Sequence, residues 1–207
     1  MEQEMALIRR VQAGDQDAFA KLLETYEKSV YNLCLRMTGN REDAADLTQE
    51  AFLKVWRGAA QYQFESSFST WLYRLTSNVC IDFLRSKKRR QTVSLTVEEE
   101  QDGTQELEIP DTAPLPEEQV LHSETKREIA AAMEALEEDF RLILTLRLVE
   151  NLSYEQIADA MDLKVGTVKS RLARARIKLK NILAKNGNIF SSSPSNLEER
   201  GVEPDDM

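Results

Sequence analysis

The sequence predicts an all-α protein made of two small helical domains joined by a flexible acidic linker. Three observations predict it. Apolar residues recur at intervals of three and four in both halves of the chain, the stretch between them loses that periodicity while it gains acid and proline, and no segment alternates as a strand would. With 42% hydrophobic residues in 207, the chain has enough apolar matter to bury real cores. The expected boundaries are a first domain over 1–90, the linker over 91–120, a second domain over 121–185 and a disordered tail over 186–207.

Asp15 is a plausible N-cap for the first long helix, whose buried face carries Phe19, Leu22, Leu23, Tyr26, Val30, Leu33, Cys34 and Met37 before Gly39 stops it. A second helix runs from near Asn40 to about Gly58, packing through Leu47, Ala51, Phe52, Val55 and Trp56. The third begins around Ser69, turns Leu72, Leu75, Val79 and Phe83 inward, and ends in the basic run at 85–90. Periodicity then fades through Pro110, Pro114 and Pro116. It returns with Ile129, Met133 and Leu136, followed by Phe140, Leu144 and Leu148 on another helix and a turn at Asn151. Ser153 with Gln156 three residues on is a capping box that opens a short helix with Ile157, Ala158 and Met161 inside. After a turn over 162–166, a longer helix aligns Val168, Leu172, Ala175, Leu179 and Leu183.

A formal net charge of −9 argues against a nucleic-acid partner only until the acid is located. Residues 91–125 hold ten Asp or Glu and no Lys or Arg, and the stretch from 186 onward holds five acids against Arg200. These segments carry net −10 and −4, so the two helical blocks carry +5. The beginning of the chain lacks the basic and apolar regions of a secretory leader, and no run of about 18 apolar residues occurs, so a cytoplasmic protein without membrane insertion is expected. Cys34 and Cys80 sit in apolar helical patterns and read as reduced core residues. His122 is the single histidine, and neither a glycine-rich phosphate loop nor a metal-ligand spacing is present. No catalytic residue, metal or cofactor is therefore expected.

The capped short helix, tight turn and second helix of the later block make a helix-turn-helix, whose second helix enters the major groove. From Leu163 to Lys185 there are eight Lys or Arg and no acid, a cation stripe complementary to phosphate. Base reading would come from near the start of that helix, where Thr167, Lys169, Ser170, Arg171 and Arg174 are candidates. Asp162 stands where many such turns use Gly.

Two faces of the first block invite a function. Glu42, Asp46, Gln49 and Glu50 share one side of the second helix, which reads either as a solubilising face or as a docking face. Thr70, Arg74, Asn78, Asp82 and Arg85 stack along the third helix and lead into the basic run, which suits nucleic acid. The preceding loop, 61–68, interleaves aromatics with amides and hydroxyls, the groups that stack on and hydrogen-bond to an unpaired base. Phe64 and Phe68 fit equally well as core anchors.

Together these segments resemble the extracytoplasmic-function sigma factors of the sigma-70 family over about 1–90 and 120–185. The strings that carry the resemblance are Asp43-Ala44-Ala45-Asp46-Leu47-Thr48-Gln49-Glu50-Ala51-Phe52, Phe68-Ser69-Thr70-Trp71-Leu72-Tyr73-Arg74 and Val165-Gly166-Thr167-Val168-Lys169-Ser170-Arg171-Leu172. The resemblance implies sigma domain 2 in the first block and sigma domain 4 in the second. It implies that Asp46, Gln49 and Glu50 dock on core RNA polymerase. It further implies that Gln61, Phe64, Ser69, Thr70, Arg74, Asn78, Asp82, Arg85, Lys87, Lys88 and Arg89 melt and read the minus-10 element of promoter DNA. Lys164, Thr167, Lys169, Ser170, Arg171, Arg174 and Lys178 would serve the minus-35 element. An anti-sigma factor is an expected further partner. A helix-turn-helix repressor or activator working without polymerase is the alternative, and it would need neither the acidic face nor the basic aromatic unit at 61–90.

A disordered linker of about thirty residues has a root-mean-square span of about 30 Å and a contour limit near 100 Å. It could bridge promoter elements about two duplex turns, or roughly 70 Å, apart, which a compact rigid pair of domains could not. If five or six residues of the cation stripe neutralise phosphates, promoter affinity should fall with salt at a log-log slope of roughly −5, measurable by titration across a range of potassium concentrations.

Overall fold

The computed structural model describes residues 2–94 and 116–186, so most of the expected linker and nearly all of the expected tail lie outside the described residues. Eight α-helices account for the described regular structure. They are α1 (Glu2–Gln12), α2 (Gln16–Thr38), α3 (Arg41–Gly58), α4 (Phe68–Ser94), α5 (Pro116–Glu134), α6 (Glu138–Leu148), α7 (Tyr154–Met161) and α8 (Val165–Asn186), with a 3-10 turn at Ala59–Gln61. The all-α expectation is met.

Local chemistry sets the helix ends. Asp15 Oδ1 accepts the Ala18 amide at 3.0 Å, and this bond, reinforced by Arg10, holds the carboxyl below its ordinary pKa. Gly39 closes α2 in the left-handed region (φ 68°), returning its amide to the Leu35 carbonyl at 2.8 Å. Asn40 Oδ1 then opens α3 by accepting the amides of Glu42 and Asp43. Ser67 Oγ accepts the Thr70 amide at 3.1 Å, so α4 starts one residue earlier than the pattern suggested, and it runs past the basic run to Ser94. Pro116 opens α5, a position where its missing N–H costs nothing. The Ser153–Gln156 capping box is present in both directions, at 2.8 and 3.1 Å. Asp162 takes the left-handed conformation (φ 51°, ψ 52°) and so fills the role of the usual glycine.

Helix α1 was not expected, yet it buries Ile8 and Val11 against α2. Ile129 and Leu148, expected inside, are 43% and 56% exposed. On α6 all six residues from Arg141 to Leu146 are buried, because packing surrounds that helix rather than meeting one face.

That enclosure comes from a feature periodicity did not reveal: the two blocks share one continuous apolar cluster reaching from Ile8 to Ala175. Helix α7 lies against α4, and α6 touches both α2 and α4. The polar centre of the junction is Arg141. Its Nε donates to the Met133 carbonyl at 3.0 Å, Nη1 to Met37 of the first block at 2.6 Å, and Nη2 to Glu134 and to Leu136, the latter at 3.2 Å. A cation thus caps the C-terminal ends of α2 and α5 together, where the helix dipoles place negative charge. Burial lowers its pKa, and these acceptors compensate the desolvation. Arg141→Met should lower stability by about 3 kcal/mol, against about 1 kcal/mol for Ser153→Ala, as read from urea denaturation midpoints of the full chain.

Candidate nucleic-acid interface

The acidic face of α3 forms because Leu47, Ala51, Phe52 and Val55 are pulled into the core, which turns the intervening residues outward. Asp46, Gln49 and Glu50 are all exposed, and Glu50 pairs with Lys54 at 3.2 Å one turn away. Beside them an open cavity of about 420 Å³ between α2 and α3 is lined by Glu27, Lys28, Tyr31, Ala45, Thr48 and Gln49.

The expected minus-10 residues divide into a displayed set and one withdrawn residue. Arg74, Asn78, Asp82 and Arg85 lie exposed along α4, and Lys87, Lys88 and Arg89 continue that surface. Lys87 pairs with Asp43 at 2.9 Å and sits 5.7 Å from the Phe83 ring. Thr70 is 2% exposed and its hydroxyl is engaged with Ser67 at 2.7 Å, so it supports the start of α4 instead of lining its outer face. Ser69 is half-buried.

The two phenylalanines of the loop before α4 differ in burial. Phe68 is buried against Tyr26, Tyr62 and Trp71, whereas Phe64 is 39% exposed with its ring 4.8 Å from that of Tyr62. Phe64 also has φ 60°, an uncommon and strained conformation for a bulky side chain, held by this neighbouring cluster. Tyr62 donates its hydroxyl to the Ser66 carbonyl at 2.6 Å, which fixes the loop across its base. Gln12 of α1 donates to the carbonyls of Ala59 and Tyr62, at 3.1 and 2.8 Å. Gln12 was invisible to the sequence reading because it acts on a segment some fifty residues away. Gln61 is exposed at the loop entrance.

On α8, Val168, Leu172 and Ala175 are buried against the rest of the second block, so the cation stripe faces outward. Lys164, Lys169, Ser170, Arg174 and Lys178 are exposed, and Thr167 and Arg171 are partly so. Two acids at the start of α6, also missed in the sequence, order part of the stripe: Asp139 Oδ2 meets Arg171 Nη1 at 3.1 Å and Glu137 Oε1 meets Lys178 Nζ at 2.5 Å. Lys178 further lies 4.7 Å from the Phe140 ring. Such exposed pairs contribute at most about 1 kcal/mol each, so phosphate can exchange with them.

Among the described residues no group of three His, Cys, Asp or Glu is placed to hold a metal, and no helix is long and apolar enough to cross a membrane. Cys34 and Cys80 are free, buried and 3.8 Å apart at sulfur; the hydrogen bond to the Cys34 thiol, and then burial, push Cys80 upward in pKa.

Residues 22–90 match the family model for Sigma-70 region 2, and residues 126–179 match that for Sigma-70, region 4. The chain is 35% identical over 176 residues to the ECF RNA polymerase sigma factor SigW of Bacillus subtilis, covering 85% of this chain and 94% of that protein. It is 37% identical over 182 residues to the ECF RNA polymerase sigma-E factor of Escherichia coli, covering 86% and 93%. The fold is similar to that of CnrH in its complex with the cytosolic domain of CnrY (TM-score 0.63, 19% identity, 88% of this chain and 97% of that one). It is also similar to RpoE of Bartonella quintana in its complex with the anti-sigma factor NepR (TM-score 0.64, 22% identity, 82% and 98%). Arg171→Ala should weaken binding to the cognate duplex by about 1 kcal/mol or more and reduce the salt slope by about 1, as measured by fluorescence anisotropy; unchanged affinity with an unchanged slope would count against Arg171 as a contact.

Proposed function

This chain belongs to the extracytoplasmic-function sigma factors of the sigma-70 family, RNA polymerase subunits that direct promoter-specific initiation, and we propose how its own residues divide that work. The family is not an enzyme family, and the contribution of the chain is recognition. Membership selects the sigma-factor reading over a repressor that acts without polymerase. The observation that carries the division is the joint display of an acidic face on α3 and two outward cation surfaces, on α4 and α8, within one chain.

Asp46, Gln49 and Glu50 dock on core polymerase. Their exposure and shared side of α3 support this role. Gln61 and Phe64, with the outer stripe Arg74, Asn78, Asp82 and Arg85, engage the minus-10 element: Phe64 offers a ring face for an unstacked base, and Lys87, Lys88 and Arg89 hold backbone phosphates. Ser69 and Thr70 act behind that surface by supporting the start of α4. Lys164, Thr167, Lys169, Ser170, Arg171, Arg174 and Lys178 of α8 engage the minus-35 element in the major groove. The anti-sigma factor named with the Bartonella quintana relative supports a regulator of the same class for this chain.

Mixed with core polymerase, the purified chain should yield transcripts from one promoter class, where a free-standing repressor would yield none. The double variant Asp46→Ala, Glu50→Ala should bind core polymerase at least tenfold more weakly while keeping its affinity for minus-35 duplex. Deleting residues 98–108 should impair initiation and spare core binding; a normal transcript yield would remove the acidic linker from the mechanism.

A further inference from the structure

We propose that Gln12, the last residue of α1, is a positioning residue for base reading: it grips both ends of the turn over 59–62 and so sets where the Phe64 ring stands against the minus-10 element. This role rests on the minus-10 reading above and adds to it a residue from outside the strings that carry the family resemblance.

The grip follows from the chemistry of a primary amide. Gln12 Nε2 carries two hydrogens on one planar group, and it donates to the Ala59 carbonyl at 3.1 Å and to the Tyr62 carbonyl at 2.8 Å. Those carbonyls bound the 3-10 turn Ala59–Gln61, so one nitrogen fixes the separation of its two ends. Asn offers the same donors with one methylene less reach, and Glu offers acceptors alone.

Gln12 is itself anchored. Val11 beside it is buried in the core, Ala13 and Gly14 return their amides to carbonyls of α1, and Gly14 turns the chain away at φ 88°. A half-buried amide at a helix end is unfavourable without partners, and Gln12 finds them 47 and 50 residues along the chain.

From Tyr62 the constraint passes to the exposed ring. The Tyr62 hydroxyl closes the loop onto the Ser66 carbonyl at 2.6 Å, and its ring lies 4.8 Å from that of Phe64 and 5.0 Å from that of Trp71. Phe64 stands at φ 60°, which a bulky residue keeps only where its surroundings over-determine it. Tyr62 supplies that constraint twice over, because Gln12 holds its main chain and its ring lies against Phe64. Without the Gln12 bonds the turn can shift and Phe64 can relax to a negative φ that carries its ring elsewhere. Phe68 and Leu72 beneath the loop are buried in the apolar core, so the change is confined to the loop. A brace needed only for folding would weaken every function of the first block together; a positioning residue weakens one.

The test uses holoenzyme assembled from core polymerase and the full chain, with a single-stranded oligonucleotide bearing the minus-10 element mapped from transcripts of the wild type. Gln12→Met keeps the side-chain length and removes both donors. It should weaken binding of that oligonucleotide about 5- to 10-fold in fluorescence anisotropy, and should reduce by a similar factor the preference over oligonucleotides with one minus-10 base changed. Gln12→Glu, which turns an acceptor toward two carbonyls, should lose more. Affinities for core polymerase and for minus-35 duplex should stay within about twofold, which also reports that both blocks are folded. Asp15→Ala removes the N-cap of α2 in the same block without touching the loop, and it should keep the oligonucleotide affinity. Because Gln12 acts through the ring, Gln12→Met combined with Phe64→Ala should bind little worse than Phe64→Ala alone. The role of Gln12 is overturned if Gln12→Met keeps wild-type affinity and preference, if core, minus-35 and minus-10 binding fall together, or if the two single losses multiply in the double variant. A Phe64→Ala chain that binds the oligonucleotide as the wild type does strikes the minus-10 role of the ring itself, a failure visible without any change at Gln12.

Discussion

A single buried guanidinium organises this molecule. Arg141 is drawn from water into the junction of α2, α5 and α6, a transfer that is unfavourable for a cation unless each lost hydration contact is replaced. Backbone carbonyls at the ends of α2 and α5 replace them, and those carbonyls would themselves have lacked partners at a helix terminus. One side chain therefore satisfies two helix ends that belong to different blocks. The planar fork of arginine matters, because a lysine would offer a point charge with too short a reach to serve both. The bond of Tyr73 to Glu150 joins the same two blocks at another place.

Segregation of charge is the second constraint. Residues 91–125 and 186–207 carry net −10 and −4, which makes the whole chain negative while the recognition helix is left uniformly cationic. Within the folded blocks Asp43 pairs with Lys87, Asp139 with Arg171 and Glu137 with Lys178. Partly exposed pairs of this kind hold long side chains in defined directions at little net gain, and they yield readily to a denser array of phosphates. The surfaces are ordered before DNA arrives without being sealed.

Aromatic packing does for the loop before α4 what the ion pairs do for α8. Tyr62, Phe68 and Trp71 form a tilted cluster beneath it, with Gln12 bonding the loop backbone from α1. That platform holds Phe64 outward in a left-handed conformation its side chain would not adopt alone. Strain is thereby concentrated at the one aromatic ring of the loop that is left open to solvent.

Much of this was readable one residue at a time. Asp15, Gly39, Asn40 and the Ser153–Gln156 box act on amides within a few positions, so the residue types alone define helix ends, and the acidic and cationic stripes follow from helical spacing. The capping, the helix-turn-helix and the family-specific strings are all local, which is why fold class and sigma-factor character emerged before any coordinates. Tertiary structure decided what depends on neighbours remote in sequence: that Thr70 turns inward and Phe64 outward, that Gln12 braces a loop fifty residues on, and that Asp139 and Glu137 stand beside α8. It also decided that the two blocks share a core. Periodicity records how many faces of a helix are apolar, but it carries no information about which partner covers each face, and an arginine such as Arg141 reads as a surface residue until the carbonyls around it are known.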